Sequence, residues 1–194
     1  MRMRNLFWSL LAVLLIAGCQ SSSGVRDQRS GNYLPLQQPT FVLHQSLTVP
    51  AGKARVFLQA GGLVRSRGLG RGRYDLYQPH CALEVDVIDH VGFVVEAGTF
   101  AVTEIQRSVV SVVMREQWLA SGAAWLAGHF RRNNDRFHDG YHFWLASTDQ
   151  PLVRRLSCFG VYARPVDLYP PTLDEINRAL GNVATLGGVE AGDW

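Results

Sequence analysis

Apolar residues along most of this chain recur at every second position. Phe41, Leu43, Leu47 and Val49 fall on one face, with Gln45 as a gap. Pro50-Ala51-Gly52-Lys53 reads as a turn, and Ala54, Val56, Leu58 and Ala60 then alternate again. After a long loop, Cys81, Leu83, Val85 and Val87 share one face, while His80, Glu84 and Asp86 share the other. Period two with polar partners predicts half-buried antiparallel strands whose polar side meets solvent. Phe93 to Val95 and Thr99 to Val113 continue the β-branched pattern. In the second of these the phase slips between Glu104 and Ser108, which predicts a bulge or two strands. Tyr141 to Ala146 and Leu152 to Tyr162 are two more strands.

Two segments depart from this period. Trp118, Leu119, Trp125, Leu126 and Phe130 stand near helical spacing among alanines, with Gly122 and Gly128 against it. They predict a short helix or an irregular insertion. Nearer the C-terminus, Pro170-Pro171 ends the strands, and Thr172 with Glu175 forms a capping box. Leu173, Ile176 and Leu180 make one apolar stripe, and Gly181 is a stop signal. The expected fold is therefore mainly β: an antiparallel sandwich or partly open barrel with a short C-terminal helix. Residues 39–168 would form the β domain, and 169–194 the helix and a loose tail. No internal repeat is present.

The N-terminus has a different pattern. Arg2 and Arg4 precede a run, Leu6 to Ala17, apolar but for Ser9, that closes on Ala17-Gly18-Cys19. A basic start, a run of about a dozen apolar residues and small residues before a cut site make a secretory signal, since a spanning helix needs about twenty. Ala17-Gly18-Cys19 resembles the lipobox of bacterial lipoproteins. The resemblance covers only the first twenty residues. It implies removal of residues 1–18, a Cys19 carrying acyl chains at the new N-terminus, and anchorage in a membrane. Gln20, where Asp is that family's usual inner-membrane retention signal, implies the outer membrane with the protein facing the periplasm. Gln20 to Gln38 is rich in Ser and Gln and lacks apolar periodicity. Residues 19–38 would thus be a lipidated flexible tether.

Export changes the charge and the cysteine reading. Removing Arg2 and Arg4 from the 19 basic residues leaves 17 against 16 acidic ones, which gives no support for nucleic-acid binding. Lys53 is the only lysine, so lysine chemistry has a single candidate, in a turn. With Cys19 acylated, Cys81 and Cys158 remain, and an exported pair is read as a disulfide, against the alternative of two buried thiols. No CxxC or Cys-His spacing around them supports a metal site.

Three places could carry chemistry. Gly61 to Arg73 is a glycine-rich loop with Arg65, Arg67, Arg71 and Arg73, whose guanidinium forks suit anionic groups. It is neither a P-loop nor a dinucleotide fingerprint. His129, His138 and His142 lie near Asp135 and Asp139, but Asn133-Asn134-Asp135 and Asp139-Gly140 predict turns with surface histidines. His80 shares a strand face with Glu84 and Asp86, an arrangement open to acid–base work and equally to a plain solvent face. No catalytic motif, cofactor or metal set is recognised. The sequence favours an envelope lipoprotein that binds or scaffolds, with the membrane and an anionic envelope component or envelope protein as partners. The alternative is a periplasmic enzyme or metal-binding protein using His80 or the His138/His142 segment.

Overall fold

The computed structural model describes residues 24–64, 74–111 and 136–190. Eleven strands and one α-helix occupy them: β1 (Gly24–Arg26), β2 (Tyr33–Leu43), β3 (Leu47–Val49), β4 (Arg55–Gln59), β5 (Gly62–Leu63), β6 (His80–Val85), β7 (Phe93–Val95), β8 (Gly98–Ser111), β9 (Phe137–Ala146), β10 (Val153–Phe159), α1 (Leu173–Leu180) and β11 (Ala184–Glu190). The fold is mainly β, as the alternation predicts. One antiparallel sheet runs β1-β2-β8-β9-β10-β6-β4-β5, with β11 also paired to β2, and β3 pairs with β7 in a second, small sheet.

Alternation fixes which side of the large sheet is the core. Val56, Leu58, Cys81, Leu83, Tyr141, Phe143, Leu156 and Cys158 are all buried in one cluster, which α1 completes with Ile176, Ala179 and Leu180. Burying Ile176 or Leu180 is worth about 1.5–3 kcal/mol each. The helix starts where the capping box places it: Glu175 N–H donates to Thr172 Oγ1, and Thr172 N–H donates to the Glu175 carboxylate. It ends at Gly181, whose φ of 57° and close approach to Gly61 leave no room for a side chain.

The disulfide joins Cys81 to Cys158, which are direct cross-strand neighbours in β6 and β10 with Cα atoms 4.1 Å apart. It is an inter-strand bridge within one sheet, and both cysteines are fully buried.

Several elements depart from the sequence pattern. The stretch expected as tether contains β1 and the first half of β2, joined by a turn in which Ser30 N–H donates to Asp27 Oδ2 at 2.7 Å. Tyr33 to Gln38 is largely exposed, with only Leu34 and Leu36 half-buried at alternate positions, so it forms a mostly solvent-facing ribbon where the sequence suggests coil. The run Phe41 to Val49 breaks at its Gln45 gap, and its two halves enter different sheets. β8 is one strand, with its register shift between Val102 and Glu104. The expected loose tail contains β11, tied to the helix by Asn177, whose side-chain amide makes two 2.9 Å bonds to the Leu186 main chain. Gly187-Gly188 hides this strand from the sequence pattern, since neither residue supplies an alternating side chain and the pairing shifts register there. Cys19, the segment Trp118–Phe130, His129 and the four loop arginines lie outside the described residues.

Candidate functional site

The side of the sheet opposite the core carries the chemistry. Cross-strand register sets its side chains in rows. Arg55, Glu84, Arg155 and Trp144 form one row across β4, β6, β10 and β9. Phe57, Ala82, Ser157 and His142 form the next, and Gln59, His80, Phe159 and Gly140 the third. His138 lies one step further along β9, opposite Val110 of β8. Between these rows lies a cavity of about 270 Å³, lined among others by Arg55, Glu84, His80, His138, His142 and Phe159.

Two expectations from the sequence are corrected here. Alternation puts His80 and Glu84 on a solvent face, yet they are only 3% and 8% exposed. Their strand is interior to the sheet, and neighbouring side chains close over them. Tyr74 stacks on His80 at 3.9 Å between ring centroids, and Phe57 stacks on Tyr74 at 4.7 Å. Asp139-Gly140 predicts a turn with surface histidines; instead it lies inside β9, and His138 is buried. The four-residue spacing that would align His138 and His142 on a helix aligns them equally on a strand. Gly140 sits there because β10 crowds it: a Cβ would stand 2.7 Å from the Phe159 ring. Asp139 points the other way, into the core side, where Arg107 holds it at 3.1 and 2.6 Å through both carboxylate oxygens.

Each histidine has its Nδ1 committed to an oxygen. His138 Nδ1–H donates to the Gly160 carbonyl at 2.9 Å, and His80 Nδ1–H donates to the Gln78 carbonyl at 3.3 Å. Ser157 Oγ stands 2.8 Å from His142 Nδ1 and 3.0 Å from Glu84 Oε1. An ionised carboxylate can only accept, so the serine hydroxyl donates to Glu84 and receives from His142. All three imidazoles therefore carry their lone pair on Nε2. That of His138 is buried without any hydrogen-bond partner among the described residues. Burial lowers all three from the ordinary histidine value: His80 falls to about 4, helped by His138 beside it, and Arg155 adds to the shift at His142. At neutral pH they are uncharged acceptors.

The other end of the site is ionic. Glu84 is met by Arg155 Nε at 3.0 Å and Arg55 Nη1 at 3.8 Å. Two guanidiniums and one carboxylate leave a local charge of about +1 with the imidazoles neutral. The serine is not a nucleophile activated by histidine, because His142 is its donor and not its base. Among the described residues no three His, Cys, Asp or Glu side chains converge as metal ligands. Phe159 explains this, since its ring lies between His142 and the His80/His138 pair, 5.6 Å from the first and 6.1 and 6.2 Å from the others.

Of the candidates that the sequence suggests, the fold brings His80, His138, His142 and Glu84 to one cavity. Asp86 instead pairs with Arg154 at 3.0 Å outside it. Arg55, Arg155, Ser157, Phe57 and Phe159 join them without any motif to mark them, although each alternates with a core residue and so belongs to the opposite face. The molecule is thus an antiparallel β protein with a polar, cavity-bearing sheet face. Neither protein-family models, nor curated proteins, nor solved structures give a match to the chain.

Proposed function

We propose that the mature protein is a lipid-anchored binding protein of the cell envelope, acylated at Cys19, facing the periplasm from the outer membrane, and that its ligand occupies the cavity on the polar side of the large sheet. The observation that carries the binding reading is His138: a buried acceptor with no partner among the described residues, in a side chain that lines the cavity. Leaving such an atom unpaired costs about 1–3 kcal/mol, and a ligand donor relieves that cost. The disulfide supports an oxidising compartment. The signal and lipobox support the anchor, and the arginine loop, Arg65 to Arg73, adds a second contact for an anionic envelope surface. Binding is favoured over histidine-activated nucleophilic catalysis by the polarity of the Glu84–Ser157–His142 chain, in which His142 donates to the hydroxyl and is not its base.

The test uses full-length protein purified from membranes in an amine-oxide detergent. Intact mass should show Cys19 as the acylated N-terminus. Thermal shift and native mass spectrometry against size-fractionated small molecules from the envelope should reveal a fraction that binds unchanged. The shift should vanish in Arg155→Gln. An unacylated protein would contradict the anchor. The absence of any binding fraction, or binding indifferent to Arg155→Gln, would contradict the site.

A further inference from the structure

We propose that the cavity takes an acidic sugar: a polyhydroxyl ring bearing one carboxylate, with the carboxylate at Arg55 and Arg155 and the ring hydroxyls toward His80, His138 and His142. This deepens the binding reading above and rests on it.

The site is two-ended. The row of Arg55, Glu84 and Arg155 and the row of His80 and Phe159 are four residues apart along the strands. That is about 14 Å at an antiparallel rise. A single small ion cannot touch both ends, so the occupant is extended. The ionic end holds two guanidiniums against one carboxylate, which is balanced by a monoanion. A phosphate monoester carries nearer two charges at neutral pH and would overfill that balance. A carboxylate matches both the charge and the forked geometry of arginine.

The histidines, His142 in the middle row and His80 and His138 beyond it, ask for donors. Each imidazole spends its Nδ1 proton on a carbonyl or hydroxyl oxygen and keeps a lone pair on Nε2. An aliphatic or aromatic monoacid has no hydroxyls to give them, whereas a sugar ring has several. Apolar surface comes from the half-buried rings of Phe57, beside Ala82 in the row shared with Ser157 and His142, and of Phe159, beside His80 in the end row. Mixed polar and aromatic lining suits a ring with C–H faces and O–H edges. Only the combination of a carboxylate, several hydroxyls and an apolar ring face uses all three kinds of lining.

The experiment is isothermal titration of the full-length protein in the same detergent with N-acetylmuramic acid and with glucuronic acid. N-acetylglucosamine serves as the neutral ring, lactate as a carboxylate without a ring, and zinc chloride as a metal. At least one acidic sugar should bind at least tenfold more tightly than N-acetylglucosamine, and lactate should not bind measurably. Arg55→Gln, at a half-exposed residue that leaves the core untouched, should cut acidic-sugar affinity about tenfold or more and bring it toward the neutral sugar. His142→Gln should weaken both kinds of sugar. Failure of both acidic sugars, equal affinity for acid and neutral rings, indifference to Arg55→Gln, or binding of zinc alone would overturn the assignment. If an envelope fraction still binds in an Arg155-dependent manner while both acidic sugars fail, the sugar assignment falls and the binding site stands. If neither binds, both fall.

Discussion

The ring of Phe159 on β10 lies across Gly140 on β9, its cross-strand partner, and separates His142 from His138. Glycine is required there because a methyl group would meet both the ring and the Cys158 carbonyl. Gly140→Ala should destabilise the protein by about 1–3 kcal/mol through overpacking. Urea unfolding followed by tryptophan fluorescence measures this. A neutral effect would show that the β10 main chain at Cys158 and Phe159 yields as well as the ring.

The Cys81–Cys158 bridge closes a separation of 77 residues. A loop-entropy treatment assigns roughly 4.5 kcal/mol to a loop of that length, and loss of a native disulfide typically costs about 2–5 kcal/mol. Cys158→Ala should lower stability within that range. Non-reducing peptide mapping of the wild type should give one crosslinked pair, and the variant should give none.

Asp139 is 1% exposed and depends on Arg107 for its charge balance. Arg107→Met should cost about 1–3 kcal/mol, because it leaves a buried carboxylate without its half-exposed partner. Adding Asp139→Leu to it should recover much of that loss. The double-mutant cycle isolates the coupling, and a double variant as unstable as the single one would show that packing at Arg107, not charge, is what matters.

Acid should weaken the fold through its histidines. His80 has a folded value of about 4 against an ordinary 6.5, because burial opposes its charge. The unfolded chain therefore binds the proton more readily between those values. The contribution is fully present above about pH 6.5 and is lost as pH falls toward 4, amounting to about 3 kcal/mol. His138 and His142 are shifted in the same direction. Unfolding free energy measured from pH 7.5 to 4 should fall accordingly, and His80→Gln should flatten the fall.

The legible part of the fold is the part with strong alternation. Val56 and Leu58, Cys81 to Val85, and Leu156 with Cys158 announce their strands and their core face, and Thr172 with Glu175 announces the helix. What stays hidden alternates too briefly to announce a strand, as with Leu34 and Leu36 in β2 and Ala184 and Leu186 in β11. β1 is short and polar-flanked, and β11 runs through Gly187-Gly188. Gly140 misleads for a different reason. Asp-Gly commonly marks a turn, but a glycine inside a strand can equally mark the close approach of another chain segment, and only the position of Phe159 distinguishes the two. The site is half legible. Residues alternating with the core can be placed on the second face, yet a one-dimensional pattern does not reveal that this face closes into a cavity. Nor does it show that β9 lies beside β10, which brings His142 to Ser157 and Glu84.

The protonation of the three imidazoles decides whether the cavity is an acceptor site. Nitrogen-15 spectra of histidine-labelled protein at pH 7 report which ring nitrogen carries the proton. His80, His138 and His142 should be neutral Nδ1–H tautomers, with bare Nε2 atoms that move toward hydrogen-bonded shifts when ligand enters the cavity. An imidazolium at His138, or a proton on its Nε2 in the empty protein, would contradict an acceptor site built to meet a ligand's donors.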